Sequence, residues 1–390
     1  MPAPKLLFLV TEDWYFCSHR LPVARAARDA GFDVVVATRV RAHGERIVAE
    51  GFALRPLAWK RLGDGVFGHL RALRDIVRLY RAEKPDILYH VALKPVLFGG
   101  LAAWLALPPR AAPATLSAVM GLGIGFGSAA AHWRKRALGW ALRFAAAGGS
   151  VIVQNPEDRD AIARLGADPA RIALIGGSGV DTAHFISLPE PTGQGMTVGV
   201  TGGITVALVG RMLRSKGVLD AVAAVRRLRA AGEVVDLLLA GAPDPDSSDS
   251  LSEAELTELA REPGIEWLGH VADVRTVWAR AAIALLPSSY GEGVPKALLE
   301  AAACARPIVA SDMPGCREVV VPGETGLLTP AHDVGKLAAA IRALAGDSAL
   351  RRRMGEAGRA RIVAGFAEAV IAEQTLALCR AALADRGQRR

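Results

Sequence analysis

The sequence predicts an α/β protein made of two Rossmann-like, doubly wound domains facing a cleft. Three observations carry that reading. Short apolar runs of strand length alternate with stretches of helical spacing along most of the chain. The alternation lapses once, over the Pro-, Gly- and Thr-rich residues 188–203, and then starts again. A chain of 390 residues with 51% hydrophobic content has enough apolar surface for two cores. We therefore expect an amino-terminal domain over 1–187, a second over 204–370, and a closing helix over 371–390 that packs back on the first domain.

In order, the first buried strand covers about 5–10. Its run Leu6-Leu7-Phe8-Leu9-Val10 is too short for a signal peptide and passes directly into Thr11-Glu12-Asp13. Residues 11–20 read as the loop that follows, and Leu21 opens a helix with Pro22 in its first turn. Strands are expected over 31–38 and 51–57, a helix over 66–82 and a buried strand over 87–91. In an open parallel sheet ligands bind at the carboxyl ends of the strands. His19 and Arg20 after the first strand, and His90 and Lys94 at the end of the 87–91 strand or just past it, are therefore candidate substrate contacts.

Residues 111–133 are uncharged and long enough to raise the question of a membrane span. Pro113 and the alternating glycines from Gly121 to Gly127 break that run into a strand and a loop instead. Residues 132–144 then mix Trp133 and Trp140 with Arg134, Lys135, Arg136 and Arg143 at helical spacing. This composition suits a helix lying on an anionic bilayer, and equally a core-facing helix with a basic edge. Strands follow over 151–155 and 172–175. The second series places strands at 205–210, 234–240, 265–269, 281–286 and 307–311, a helix at 253–261 with Ser252 as N-cap, and mostly helix from Val334 onward.

The charge is uneven. Net charge is +8, with residues 1–180 carrying +10 and the remainder −2. No Asp or Glu stands between Asp86 and Glu157. A basic half of this kind expects an acidic partner: nucleic acid, a phosphorylated substrate or anionic lipid. Cys17, Cys304, Cys316 and Cys379 have no metal-like spacing and read as reduced thiols of a cytosolic protein.

The chemistry concentrates in residues 287–300. An apolar strand ends there, a glycine-flanked loop carries Glu292, and Pro295 opens a helix bearing Glu300. Backbone amides at such a helix start favour an anion. Arg211 and Lys216, five residues apart between Gly210 and Gly217, are two cations on flexible backbone and suit a diphosphate. Asp244-Pro245-Asp246 looks like a metal motif but sits in an acidic, serine-rich loop, and no metal is expected there. The Gly121-x-Gly123-x-Gly125 series lacks the spacing and downstream acid of a dinucleotide site.

Taken together, Gly210-Arg211, Lys216-Gly217, Gly241, Glu292 through Glu300 with Gly293-Val294-Pro295, and Glu324-Thr325-Gly326-Leu327-Leu328 resemble glycosyltransferase family 4. That resemblance implies the GT-B fold and retaining transfer from a nucleotide sugar. The amino-terminal half adds Asp13-Trp14-Tyr15-Phe16, Ser18-His19-Arg20-Leu21-Pro22, His90-Val91-Ala92-Leu93-Lys94-Pro95, Gly121-Leu122-Gly123 and Gly177-Ser178-Gly179-Val180-Asp181. These are similar to the subgroup that extends undecaprenyl-diphosphate-linked sugars in glycan, O-antigen or capsule assembly.

The resemblance implies that Glu300 holds the ribose hydroxyls of a UDP-sugar, that Arg211 and Lys216 stabilise the departing diphosphate without a metal, and that Glu292 contacts the donor sugar. Gly210, Gly241, Gly293, Val294 and Pro295 would line the nucleotide, and His19, Arg20, His90 and Lys94 the acceptor side. Many family members carry a histidine just after the strand that here reads Thr115-Leu116-Ser117-Ala118-Val119; this chain has Met120-Gly121-Leu122-Gly123. The enzyme so implied sits at the inner face of the cytoplasmic membrane, meeting anionic lipid through its basic domain. A UDP-N-acetylhexosamine epimerase of the same fold, which would need no acceptor, and a nucleic-acid-binding protein are the rival readings. The low aromatic content, and basic residues set beside long apolar runs, argue against nucleic acid.

Overall fold

The computed structural model describes residues 3–59, 65–107, 112–121, 139, 149–191 and 203–388. The Gly121-Leu122-Gly123 motif beyond Gly121, the basic segment 132–144 apart from Gly139, and residues 192–202 lie outside the described residues. The chain forms two compact units: residues 1–179 with 368–390, and residues 180–367.

The first unit is built on seven parallel strands, β1 (Lys5–Glu12), β2 (Asp33–Arg39), β3 (Ala53–Pro56), β4 (Ile87–Val91), β5 (Ala114–Ala118), β6 (Ser150–Val153) and β7 (Ile172–Leu174), in the order β3-β2-β1-β4-β5-β6-β7. Both faces of its centre are covered, which is why β1 reads as an unbroken apolar run. Side chains alternate across the sheet. Leu6, Phe8 and Val10 pack with Phe16, Leu21 and Val34 on one face, and Leu7 and Leu9 with Trp59, Ile76 and Tyr80 on the other. The helix Glu368–Gln388 contributes Ile371, Ala372, Leu376 and Cys379 to the first of these layers, and its Arg386 pairs with Asp86.

One element departs from the sequence reading. Residues 11–20 are not a loop: β1 continues to Glu12 and a helix Asp13–His19 follows at once. Asp13, Phe16 and Cys17 are its buried residues, the i, i+3, i+4 pattern of a core-facing helix compressed into two turns. The Asp13 carboxylate is fully buried and accepts from the backbone N–H groups of Arg41 at 2.7 Å and His43 at 2.8 Å. It thereby ties the segment after β2 to the end of β1.

The second unit has six parallel strands, β8 (Ile204–Val209), β9 (Val235–Ala240), β10 (Ile265–Trp267), β11 (Ile283–Leu286), β12 (Ile308–Ser311) and β13 (Gly326–Thr329), in the order β10-β9-β8-β11-β12-β13. Ser252 caps the helix Glu253–Leu259 as the sequence predicts, with Glu255 completing a capping box. Ala207, Ala284 and Leu298 share one core layer, and Val206, Ile283 and Val225 the other. All four cysteines are buried and free, and burial raises every thiol pKa, Cys304 to about 11 and Cys379 to about 12. They are poor nucleophiles in the folded chain. Among the described residues no helix is long and apolar enough to cross a membrane.

Candidate active site

In the second unit the strand order reverses between β8 and β11, neighbours in the sheet that lie far apart in sequence. Loops at the carboxyl ends of two such strands diverge to opposite faces and leave a crevice, the usual ligand position of this architecture. The β8 loop supplies Gly210, Arg211 and the single turn Arg214–Lys216; the β11 loop supplies residues 287–295.

The two loops are joined through their backbones. Ser289 donates its N–H to the Ser215 carbonyl at 2.8 Å, and the Ser288 hydroxyl donates to the same oxygen at 3.2 Å. Gly217 has φ +75°, and a Cβ there would lie 2.1 Å from the Pro287 carbonyl oxygen. Only glycine permits this approach. Ser215 is held from behind by Asp249, whose carboxylate accepts from its N–H at 3.1 Å and from its hydroxyl.

This scaffold brings Lys216 and Glu292 into a direct ion pair, with side chains only 13% and 14% exposed. The Tyr290 ring lies 5.7 Å from the ammonium. Burial works to lower the Lys216 pKa, but the Glu292 carboxylate and Tyr290 outweigh it, so the ammonium titrates above the usual lysine range and stays charged. Burial, then Glu292, raise the Tyr290 phenol, which stays neutral. The other carboxylate oxygen of Glu292, Oε1, is buried and accepts no hydrogen bond. A buried acceptor left open in this way expects a donor from a ligand.

Arg211 is aimed by Asp244, which accepts from its Nη1 at 2.5 Å; the Asp244 N–H in turn donates to the Ser250 hydroxyl at 2.8 Å. Asp244 thus orients a cation. The two strand-ending glycines meet: Gly241 has φ +151°, and a Cβ on it would fall 1.7 Å from the Gly210 carbonyl oxygen. Gly293 is approached as closely by Gly315, whose Cβ would lie 2.0 Å from the Gly293 carbonyl oxygen. Val294 is buried at 8% exposure. Pro295 stands at the N-cap, one position earlier than the sequence suggests, and the helix Lys296–Ala303 follows with Glu300 as its fifth residue, half-buried.

Lys216 and Glu292, 76 positions apart, are thus two predicted site residues that the fold brings into contact. Sequence reasoning missed Tyr290, Asp244, Asp249 and Gly315. Only the last carried a usable signal, a glycine directly after the proline that opens the helix Pro314–Val319.

The four acceptor-side candidates in the first unit separate. His19 closes the helix Asp13–His19 half-buried, its ring stacked on Tyr15 at 4.1 Å. Arg20 follows at 2% exposure. Lys94 lies in the first turn of the helix Leu93–Ala106, with its ammonium 5.3 Å from the Trp59 ring centre. Ahead of it Ala92 takes φ 74°, ψ 166°, a conformation otherwise left to glycine.

His90 is the correction. It is fully buried in the middle of the sheet, its Nε2 2.9 Å from the Tyr80 hydroxyl, so its side chain belongs to the core and not to an exposed strand end. The apolar neighbours of a central strand place it there, and burial lowers its pKa to about 3. The sign is therefore fixed. Below pH about 6.5 the unfolded chain takes up a proton that the folded chain refuses until pH nears 3. Stability drops across that window by about 1.4 kcal/mol per pH unit from this group. Urea midpoints measured from pH 7 to 4 are expected to fall less steeply in His90→Gln than in the native chain.

Comparison with known proteins adds the following. Residues 203–347 match the family described as Glycosyl transferases group 1, and residues 5–155 the one described as Glycosyl transferase 4-like. The alpha-maltose-1-phosphate synthase of Mycolicibacterium smegmatis is 35% identical over 274 residues, covering 64% of this chain and 69% of that protein. The capsular polysaccharide biosynthesis glycosyltransferase CapM of Staphylococcus aureus is 23% identical over 79% of this chain and 80% of its own length. Among solved structures, Anabaena Alr3699/HepE in complex with UDP and glucose superposes with a TM-score of 0.78 at 19% identity, over 97% of this chain and 99% of that one.

Proposed function

Because the chain belongs to the group 1 glycosyl transferases and has the two Rossmann-like units of the GT-B fold, it is a glycosyltransferase, and we propose that its donor is a UDP-sugar and its acceptor a sugar on a polyprenyl diphosphate. The reaction would move a hexose or N-acetylhexosamine in the assembly of a cell-surface polysaccharide or glycan. The observation that carries the donor half is the Lys216–Glu292 pair at the β8/β11 reversal, with Arg211 in the same loop and Glu292 Oε1 open.

In this reading Glu300 holds the ribose hydroxyls. Lys216 and Arg211 move from their carboxylate partners to the diphosphate as negative charge develops on it, which replaces a metal by fixed cations. Glu292, released from Lys216, accepts from a donor-sugar hydroxyl through Oε1 and steadies the positive charge growing at the anomeric carbon. The bond from that carbon to the diphosphate breaks, the acceptor oxygen bonds to it on the same face, and the acceptor's proton passes to a phosphate oxygen. Configuration is retained. The basic character of residues 1–180 supports a diphosphate-linked acceptor at an anionic membrane surface on the cytoplasmic side.

The test is turnover of a UDP-sugar panel with a lipid-diphosphate-linked sugar. Glu300→Ala is expected to raise KM for the donor by about 10- to 100-fold, the loss of one or two hydrogen bonds to a charged group. Unchanged activity in both Glu300→Ala and Arg211→Ala would refute the donor site.

A further inference from the structure

The first unit holds a buried charge that no carboxylate among the described residues answers. Arg20 is 2% exposed, yet among the described residues it forms no ion pair. Its Nη2 donates to the Met120 thioether at 2.7 Å, its guanidinium lies 5.9 Å from the centre of the Tyr89 ring, and its buried Nε meets no acceptor among the described residues. A thioether is a weak acceptor, and a buried cation without a counter-charge is strongly unfavourable. Among the described residues the other nearly buried arginines are answered by carboxylates or carbonyls: Arg351 by Glu190 and two carbonyls, Arg306 by the carbonyls of Trp278 and Pro189.

The position is a ligand position. Arg20 caps the carboxyl end of the helix Asp13–His19 that follows β1, while Met120 stands two residues past the end of β5 and Gln154 one residue past β6, at the carboxyl edge of the sheet. The Gln154 amide Nε2 shares the same sulfur at 3.5 Å. Two N–H donors, one from a helix end and one from just past a strand, thus converge on one sulfur atom. Met120 is half-buried and unbranched, so the side chain that both donors meet is a flexible one.

We propose that Arg20 and Gln154 form an oxyanion subsite for a phosphate group of the acceptor, with Met120 as its displaceable cover. The phosphate takes the place of the sulfur: one oxygen accepts from Arg20 Nη2 and the Gln154 amide, and a second from the open Arg20 Nε, the two-point recognition that arginine gives to phosphate. Arg20 is then retained for binding and against stability. The identity of the phosphate as the acceptor's rests on the function proposed above.

The probe is inorganic pyrophosphate, titrated by calorimetry into the full chain already saturated with UDP, so that the β8/β11 site is filled. One binding event is expected. Arg20→Met should weaken it at least about 100-fold, and Met120→Ala should tighten it about threefold by freeing the donors. Without pyrophosphate, Arg20→Met should unfold at the same temperature as the native chain or higher, and saturating pyrophosphate should raise the native midpoint by about 5 °C but not that of the variant. Pyrophosphate affinity unchanged in Arg20→Met overturns the subsite. If that variant does not fold, Met120→Ala decides: unchanged or weaker binding overturns it. Glucuronate competing on equal terms with pyrophosphate overturns the phosphate assignment in favour of a carboxylate. Failure of the native chain to use any lipid-diphosphate sugar, with Arg20-dependent pyrophosphate binding intact, refutes the proposed acceptor and leaves the subsite standing.

Discussion

Lys216→Met is expected to lower kcat by roughly 100- to 1000-fold, the loss that follows removal of one preorganised donor from a developing oxyanion. The variant has a second defect, because Glu292 is left 14% exposed with no counter-charge. A fall in stability therefore accompanies the fall in rate. Adding Glu292→Gln isolates the stability part: the double variant should regain thermal stability, so a double-mutant cycle on the unfolding midpoint shows coupling between the two side chains. Single-turnover measurements with saturating UDP-sugar read the chemical step directly. A loss under tenfold would mean that Lys216 serves the loop scaffold and not the leaving group.

Gly241→Ala is expected to destabilise the second unit strongly. Its methyl would sit 1.7 Å from the Gly210 carbonyl oxygen, against backbone that ends a central strand, and the residue would hold φ +151°. Strain of this kind costs about 1–3 kcal/mol and forced overpacking about 1–3 more. The unfolding midpoint should drop by about 5–20 °C. Gly210→Ala is the control: Gly210 has φ +152° but nothing within 4 Å of its added methyl, so it should lose only the strain component. Equal losses in the two variants would show that the close approach of the two strand ends does not matter.

Much of this architecture is legible in the sequence because a parallel sheet covered on both faces writes itself as apolar runs. Leu6–Leu9 and Leu237–Leu239 need no long-range information to be read as buried strands. Arg211, Lys216 and Glu292 are also legible, since glycine-flanked charges after such runs lie at strand ends. Partners are not legible. Nothing local says that Asp244 will orient Arg211 and not bind a metal, or that His90 will turn into the core toward Tyr80, because both depend on contacts made only after the sheet closes. The helix Asp13–His19 escaped for a different reason: two turns carry too few periods to reveal a helical face.

The helix Glu368–Gln388 also sets the order in which the polypeptide can mature. Residues 180–367 form a contiguous unit, available for folding as soon as that stretch has left the ribosome. The unit that begins at the amino terminus must wait for the last part of the chain, since the layer around Phe8 and Phe16 is completed only by Ile371, Ala372, Leu376 and Cys379. Until then the first-made half of the protein carries an open apolar face. Residues 180–367 are therefore the first able to reach their final form.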